Sequence, residues 1–265
     1  MDLKGCLLPF LPASGGVVAL VGAGGKTSAL FGLAGELAGA SPAGVLMTTT
    51  THLYDPRLEQ GRGFDQLALD PALAEARGPW GPGPAPGPAR RVLLAAQEEP
   101  ALGKLRGIHP DRVAELKRAW TFVLVEADGS KRRPVKAPAA FEPVVPAAAD
   151  LVLGLIGLGC LGRPMDGATV HRPELFGPVT GCAPGAPIGL PHLAALCRSP
   201  LGLFKGAPGA ARRVLVLNQA DLCGLEPAAL LEGLQSGGPV PADLILVCVL
   251  RERPGARVLA RAQPQ

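Results

Sequence analysis

The six cysteines (Cys6, Cys160, Cys182, Cys197, Cys223 and Cys248) include no C-x-x-C pair, and no histidine cluster accompanies them. Their scatter excludes a disulfide framework and a structural zinc site read by spacing, and fits reduced thiols in a cytosolic protein. Charge of one sign is scarce too. A formal net charge of +4 at pH 7 is too small to argue for a nucleic-acid partner. No apolar run is long enough to span a bilayer; the longest, "LVLGLIGLGCLG" from Leu151, is short and full of glycine. The opening stretch, "MDLKGCLLPFLP", is a poor signal peptide. We therefore expect a soluble, cytoplasmic protein with neither nucleic acid nor membrane as partner. No internal repeat is visible.

What the chain has is apolar residues, glycine and proline. With 48% hydrophobic and 18% charged residues it can bury a core, and its 36 glycines and 29 prolines belong in loops. Its 265 residues suit one large α/β domain or two small ones. Short Val- and Leu-rich runs alternate with helical stretches: "VVALV", "GVLMTTTT", "RVLLAAQ", "TFVLVEA", "LVLGLIG", "RVLVLNQ" and "LILVCVL" read as buried parallel strands. "KTSALFGLAGELAGA" reads as the helix after the first strand, and the stretch 64–77 as a helix interrupted by Pro71. The expected architecture is a three-layer α/β fold, a mainly parallel sheet with helices on both faces. "GPWGPGPAPGPAR" (residues 78–90) reads as an exposed insertion within a single domain spanning 1–265.

Three strand ends carry candidate chemistry. "LVGAGGKTS" (Leu20 to Ser28) misses the strict pattern G-x-x-x-x-G-K-[ST], because the first glycine falls on Leu20. Its setting between a strand and a helix still fits an anion cradle. Gly22, Ala23, Gly24, Gly25 and Ser28 would line it, Lys26 would reach the β/γ-phosphates, and Thr27 would ligate Mg²⁺. The bland alternative is a tight turn with Lys26 in solvent. "TFVLVEADGS" ends an apolar strand in Glu126 and Asp128, which alternation puts on one face near the loop. One acid would hold Mg²⁺, with Glu126 the first choice, while the other orients water; otherwise they simply begin a turn. "RVLVLNQADL" resembles the N-K-x-D base-recognition motif of GTPases. Asp221 can accept from guanine's amines and Asn218 accompanies it, but Gln219 stands where that motif has lysine, so the nucleotide is GTP or ATP with GTP preferred. A plain turn is the alternative.

Two further stretches are weaker. Thr49 and Thr50, within "MTTTTHL", sit on the same rim, where hydroxyls can meet phosphate or simply suit a strand; His52 carries no assignment of its own. In "GSKRRPVKAP", Lys131, Arg132, Arg133 and Lys136 follow the acids as a phosphate-sensing or partner-docking loop, or as a solvated face.

Taken together, "VVALVGAGGKTS", "TTTTHLYDP", "VLVEADGSKRRPVKAPAAFEPVVP", "DLVLGLIGLGCLGRP", "VHRPELFG" and "VLNQADL" resemble the YqeC family, accessory proteins associated with selenium-dependent molybdenum hydroxylases. The resemblance implies a phosphate-loop NTPase fold and a role in maturing a molybdenum hydroxylase or its cofactor. It also implies that "VHRPE", with His171, Arg172 and Glu174, is functional, although those residues alone read as a helix start with Pro173 in its first turn. The preferred expectation is a cytosolic Mg²⁺-dependent nucleotide hydrolase. The alternatives are a small-molecule kinase or ligase similar to dethiobiotin synthetase, with Lys131 or Arg133 binding the acceptor, and a non-catalytic nucleotide-sensing scaffold.

Overall fold

The computed structural model describes residues 2–39, 41, 43–59, 63–76, 90–251 and 256–263, so the insertion expected at 78–90 lies outside the described residues except for Arg90. The chain runs α1 (Leu3–Leu7), β1 (Gly16–Gly22), α2 (Lys26–Ala38), β2 (Val45–Thr49), β3 (His52–Tyr54), β4 (Gln66–Leu69), β5 (Arg91–Ala95) and β6 (Gln97–Glu99). It continues through β7 (Lys104–Arg106), α3 (Val113–Ala119), β8 (Phe122–Glu126), β9 (Val135–Lys136), β10 (Leu151–Gly157), β11 (Val170–His171) and α4 (Pro173–Thr180). The remaining elements are α5 (Leu190–Arg198), β12 (Arg212–Asn218), α6 (Pro227–Gln235), β13 (Leu244–Val249) and β14 (Arg257–Ala262).

Nine strands form one sheet in the order β14-β13-β12-β10-β1-β8-β2-β5-β4. Every pairing is parallel except β13 with β14 at one edge. The continuous apolar runs of β1, β8, β10 and β13 are buried along their whole length, as strands covered on both faces must be. Alternate side chains of β1 enter separate cores. Val18 and Leu20 pack with Leu30, Leu33 and Leu37 of α2 and with Leu3 and Leu7 of α1. Val17, Ala19 and Val21 pack on the opposite face with Leu116 of α3, Phe176 of α4, Leu196 of α5 and Leu230 of α6. The result is the expected three-layer α/β architecture. Each fully buried Leu or Val contributes roughly 1.5–3 kcal/mol, so the central strand is firmly held.

The helix expected over 64–77 is not formed. Gln66–Leu69 instead pairs parallel to β5 as an edge strand, and a 3₁₀ turn follows at Pro71–Ala74. Pro71 has no N–H for a helical ladder, and Asp70 offers a competing partner by accepting from Ala72 N at 3.0 Å. Leu67 then packs toward one core and Leu73 into the other. A small antiparallel sheet, β3-β7-β6, and a parallel pair, β9-β11, lie outside the main sheet. No described helix is long and apolar enough to cross a membrane.

From β1 the chain first builds the β2, β4 and β5 side, returns through β8, and then builds β10, β12 and β13 on the other side. The carboxyl end of β1 is therefore where the winding reverses. Ligand clefts in open α/β sheets form at that point.

Candidate functional site

β1 ends at Gly22 and α2 begins at Lys26, so Ala23–Gly25 make the whole connection. Leu20 is a fully buried strand residue, which explains why the strict phosphate-loop spacing fails: the chain leaves the sheet only at Gly22. Gly24 and Gly25 have φ of +79° and +138°. A Cβ at Gly24 would lie 2.3 Å from Gly157 N, and one at Gly25 would lie 2.3 Å from Asn218 Nδ2. Only glycine meets both demands. No side chain caps α2, so its first turn presents amides and positive dipole to the cleft that Gly24–Ser28 line. Gly22 and Ala23 are corrected as phosphate ligands. Their amides are committed inward, Gly22 N to Asp128 Oδ2 at 3.1 Å and Ala23 N to Leu155 O at 2.9 Å. The Gly24 amide, expected in the cradle too, is likewise taken by Arg133 O at 3.2 Å, which leaves Gly25–Ser28 to face the cleft.

The register places Glu126 of β8 beside Leu20 of β1 and Thr49 of β2. Its Oε2 accepts from Thr27 Oγ1 at 3.0 Å, bringing a carboxylate and a hydroxyl together at the start of α2. Asp128 behaves differently. It is buried at 1% exposure and does not line the cleft, so the expectation that it orients water is corrected. It lies instead behind Lys26: Oδ1 is 3.2 Å from Lys26 Nζ, out of hydrogen-bond alignment, and Oδ2 is 3.0 Å from Lys136 Nζ. Lys26 Nζ also donates to Gly22 O at 2.6 Å. An ammonium has three protons and Gly22 O takes one, so Lys26 keeps donors for the cleft it lines.

The cleft has a volume of about 1160 Å³. Gln219, Asp221 and Leu222, which follow β12, line it, with Asp221 exposed. Asn218 is corrected from base ligand to brace, because Nδ2 donates to Gly24 O at 2.7 Å and Oδ1 accepts from Leu250 N at 2.9 Å. The basic loop Lys131–Arg133, which follows β8, and His171 and Arg172, at the start of α4, line it as well and form its basic part. Thr49 and Thr50 do not line it. Their hydroxyls donate to Glu126 O and Val144 O at 2.7 Å each, and Thr51 and His52 reach the cleft in their place.

Sequence reasoning missed Glu142 in this wall, and its reading of Lys136 as part of a solvated or phosphate-sensing loop is corrected, because Lys136 is buried and does not line the cleft. Lys136 donates to Gly129 O at 2.6 Å and Glu142 Oε2 at 2.7 Å, and touches Asp128. Arg172 Nη1 donates to the same Glu142 oxygen at 2.5 Å. Lys26, Asp128, Lys136, Glu142 and Arg172 thus alternate in sign from the glycine loop to the start of α4. Burial alone would raise the Glu142 carboxyl, but Arg172 and Lys136 outweigh it and hold it below the usual range. Burial first, then the charges of Arg172 and Lys136, push the His171 imidazole down to about 4, so it is neutral at pH 7. The signal available in the sequence was Lys136 in an apolar context, "PVKAP", where a solvated lysine is out of place.

Comparison with known proteins agrees with the resemblance seen in the motifs. The model of the family described as YqeC protein matches residues 18–174, which contain the glycine loop, Glu126, the basic loop and His171–Arg172. The chain is 36% identical over 224 residues to "Uncharacterized protein YqeC" from Escherichia coli (strain K12), covering 83% of this chain and 82% of that protein. No solved structure matches. The chain belongs to the YqeC family.

Proposed function

We propose that this protein binds a nucleoside triphosphate with Mg²⁺ at the glycine loop and hydrolyses it, with GTP preferred over ATP. The observation that carries the reading is the convergence of Lys26, Thr27 and Glu126 at the uncapped start of α2. Residues and metal fit each other. Mg²⁺ takes hard oxygen ligands, few of them from protein, and completes its shell with phosphate and water. Thr27 and Glu126 supply two such oxygens, and no cluster of three or more His, Cys, Asp or Glu suited to caging a metal exists among the described residues. Bound there, Mg²⁺ would neutralise charge on the β- and γ-phosphates. Lys26 would donate to the same oxygens, held in line by Asp128 and Gly22 O. Asp221 would accept from the base.

The biological role, as an accessory factor in maturing a molybdenum hydroxylase or its cofactor, rests on the family resemblance. Involvement of selenium has the same support. A second reading, a small-molecule kinase or ligase, is favoured by the size of the cleft, which exceeds the usual range for one drug-sized ligand. Phosphate release from Mg·GTP, measured with and without added acceptors, tests the proposal. Release without acceptor supports hydrolysis. GDP formed only with an acceptor, its γ-phosphoryl group transferred to the acceptor by a kinase or freed as phosphate by a ligase, favours the second reading, and binding with no GDP formed in either case contradicts both.

A further inference from the structure

The basic part of the cleft carries features that nucleotide binding at the glycine loop does not use. Among the described residues four non-glycine positions have left-handed backbone, Lys131, Arg132, Arg172 and Gln219, and all four line this cleft. Three are basic and lie in this part. Side chains are disfavoured in that conformation, and residues held in it gather at ligand clamps. Here the surroundings enforce it: Arg133 O accepts from Gly24 N at 3.2 Å, and β9 pairs with β11 so that Lys136 stands opposite His171.

The charges do not cancel. Arg132 is paired with Glu59 and Arg172 with Glu142. Lys104 lies over the Tyr54 ring at 5.3 Å, with no carboxylate partner among the described residues. Lys131 and Arg133 have no ion-pair partner among them either. Glu174, exposed on the rim, is the remaining acid. The lining of this part therefore carries a surplus of two positive charges. His171, neutral at pH 7, adds hydrogen-bonding capacity without adding charge.

We infer that this part, between Lys131–Arg133 and His171–Arg172, is a second subsite that takes a small phosphate monoester beside the nucleotide. A monoester carries close to two negative charges at pH 7, matching the surplus, whereas a monocarboxylate leaves one cation uncompensated. The companion ligand rests on the nucleotide reading; the subsite's own residues do not.

The test is calorimetric titration of phenyl phosphate into the full chain saturated with Mg²⁺ and a non-hydrolysable GTP analogue, with benzoate as the carboxylate counterpart. The expected result is one saturable equivalent of phenyl phosphate, and benzoate weaker by about tenfold or more. The double variant Lys131→Ala, Arg133→Ala, the first side chain exposed and the second half-buried, should weaken phenyl phosphate by about tenfold to a hundredfold. Lys26→Ala, titrated without the analogue, should still bind it. Competition between phenyl phosphate and the analogue, loss in Lys26→Ala, equal binding of benzoate, or an unaffected double variant would each overturn the subsite. If the analogue fails to bind but phenyl phosphate titrates and needs Lys131 and Arg133, the nucleotide reading falls and the subsite stands.

Discussion

Replacing Asp128 by Asn keeps its shape and an acceptor for Gly22 N but removes the one negative charge shared by two buried ammonium groups. Lys26 Nζ lies 3.2 Å and Lys136 Nζ 3.0 Å from its oxygens, and the side chains of both lysines are 2% exposed or less. Breaking a buried pair costs about 3–5 kcal/mol. Lys136 keeps Glu142 at 2.7 Å, so the penalty falls mainly on Lys26 and the low end, about 3 kcal/mol, applies. For a chain of this size that corresponds to a fall of roughly 6–12 °C in Tm. Thermal unfolding followed by circular dichroism measures it. The double variant Lys26→Met, Asp128→Asn should unfold at a higher temperature than Asp128→Asn alone, because the uncompensated ammonium is gone. An Asp128→Asn protein melting within about 2 °C of wild type would refute the reasoning, since a loss that small fits an exposed pair.

Glu126→Gln and Thr27→Ala should leave Tm nearly unchanged yet slow Mg²⁺-dependent turnover by about a hundredfold or more, read from phosphate release over a Mg²⁺ series. Full activity in both variants would remove them from the metal. Asp221→Asn should erase a GTP-over-ATP preference of about tenfold to a hundredfold in competitive binding, because guanine offers that carboxylate the adjacent pair of donors, N1–H and the N2 amine, that adenine lacks. An unchanged preference would make "NQAD" a turn and nothing more. Stability should also fall as pH drops from 6.5 toward 4. His171 is held neutral in the fold down to about 4, so the unfolded chain takes up its proton first. Denaturant midpoints between pH 7 and pH 4 should show this slope, and His171→Asn should flatten it.

The parts of the fold written in local pattern were legible. The apolar runs of β1, β5, β8, β10, β12 and β13, the glycine turn and α2 each declare themselves within a few residues, because burial on both faces demands unbroken Val and Leu. β4 did not, since an edge strand tolerates the polar and partly exposed positions that made 64–77 look helical. Glu126 was visible as an acid ending an apolar strand. Its partnership with Thr27 follows from strand order, β1 beside β8, which the sequence does not print. The same reason hid the different role of Asp128. Two residues past Glu126 it looks equivalent by alternation, but the chain has left the strand there and the carboxylate turns inward to the lysines. Arg172 reaches Glu142 from thirty positions away, and no spacing rule could join them. Asn218 was identified, but only the packing tells that it braces Gly24.

Calorimetric titration of GTP, with and without Mg²⁺, into wild type and Lys26→Ala bears most directly on the central claim. Lys26→Ala should stay folded, because Asp128 keeps Lys136 and Gly22 N as partners. The account predicts one Mg²⁺-dependent equivalent of GTP bound to wild type and none detectable on the folded variant. Equal affinity of the two proteins for GTP, or no binding of either GTP or ATP to wild type, would contradict it.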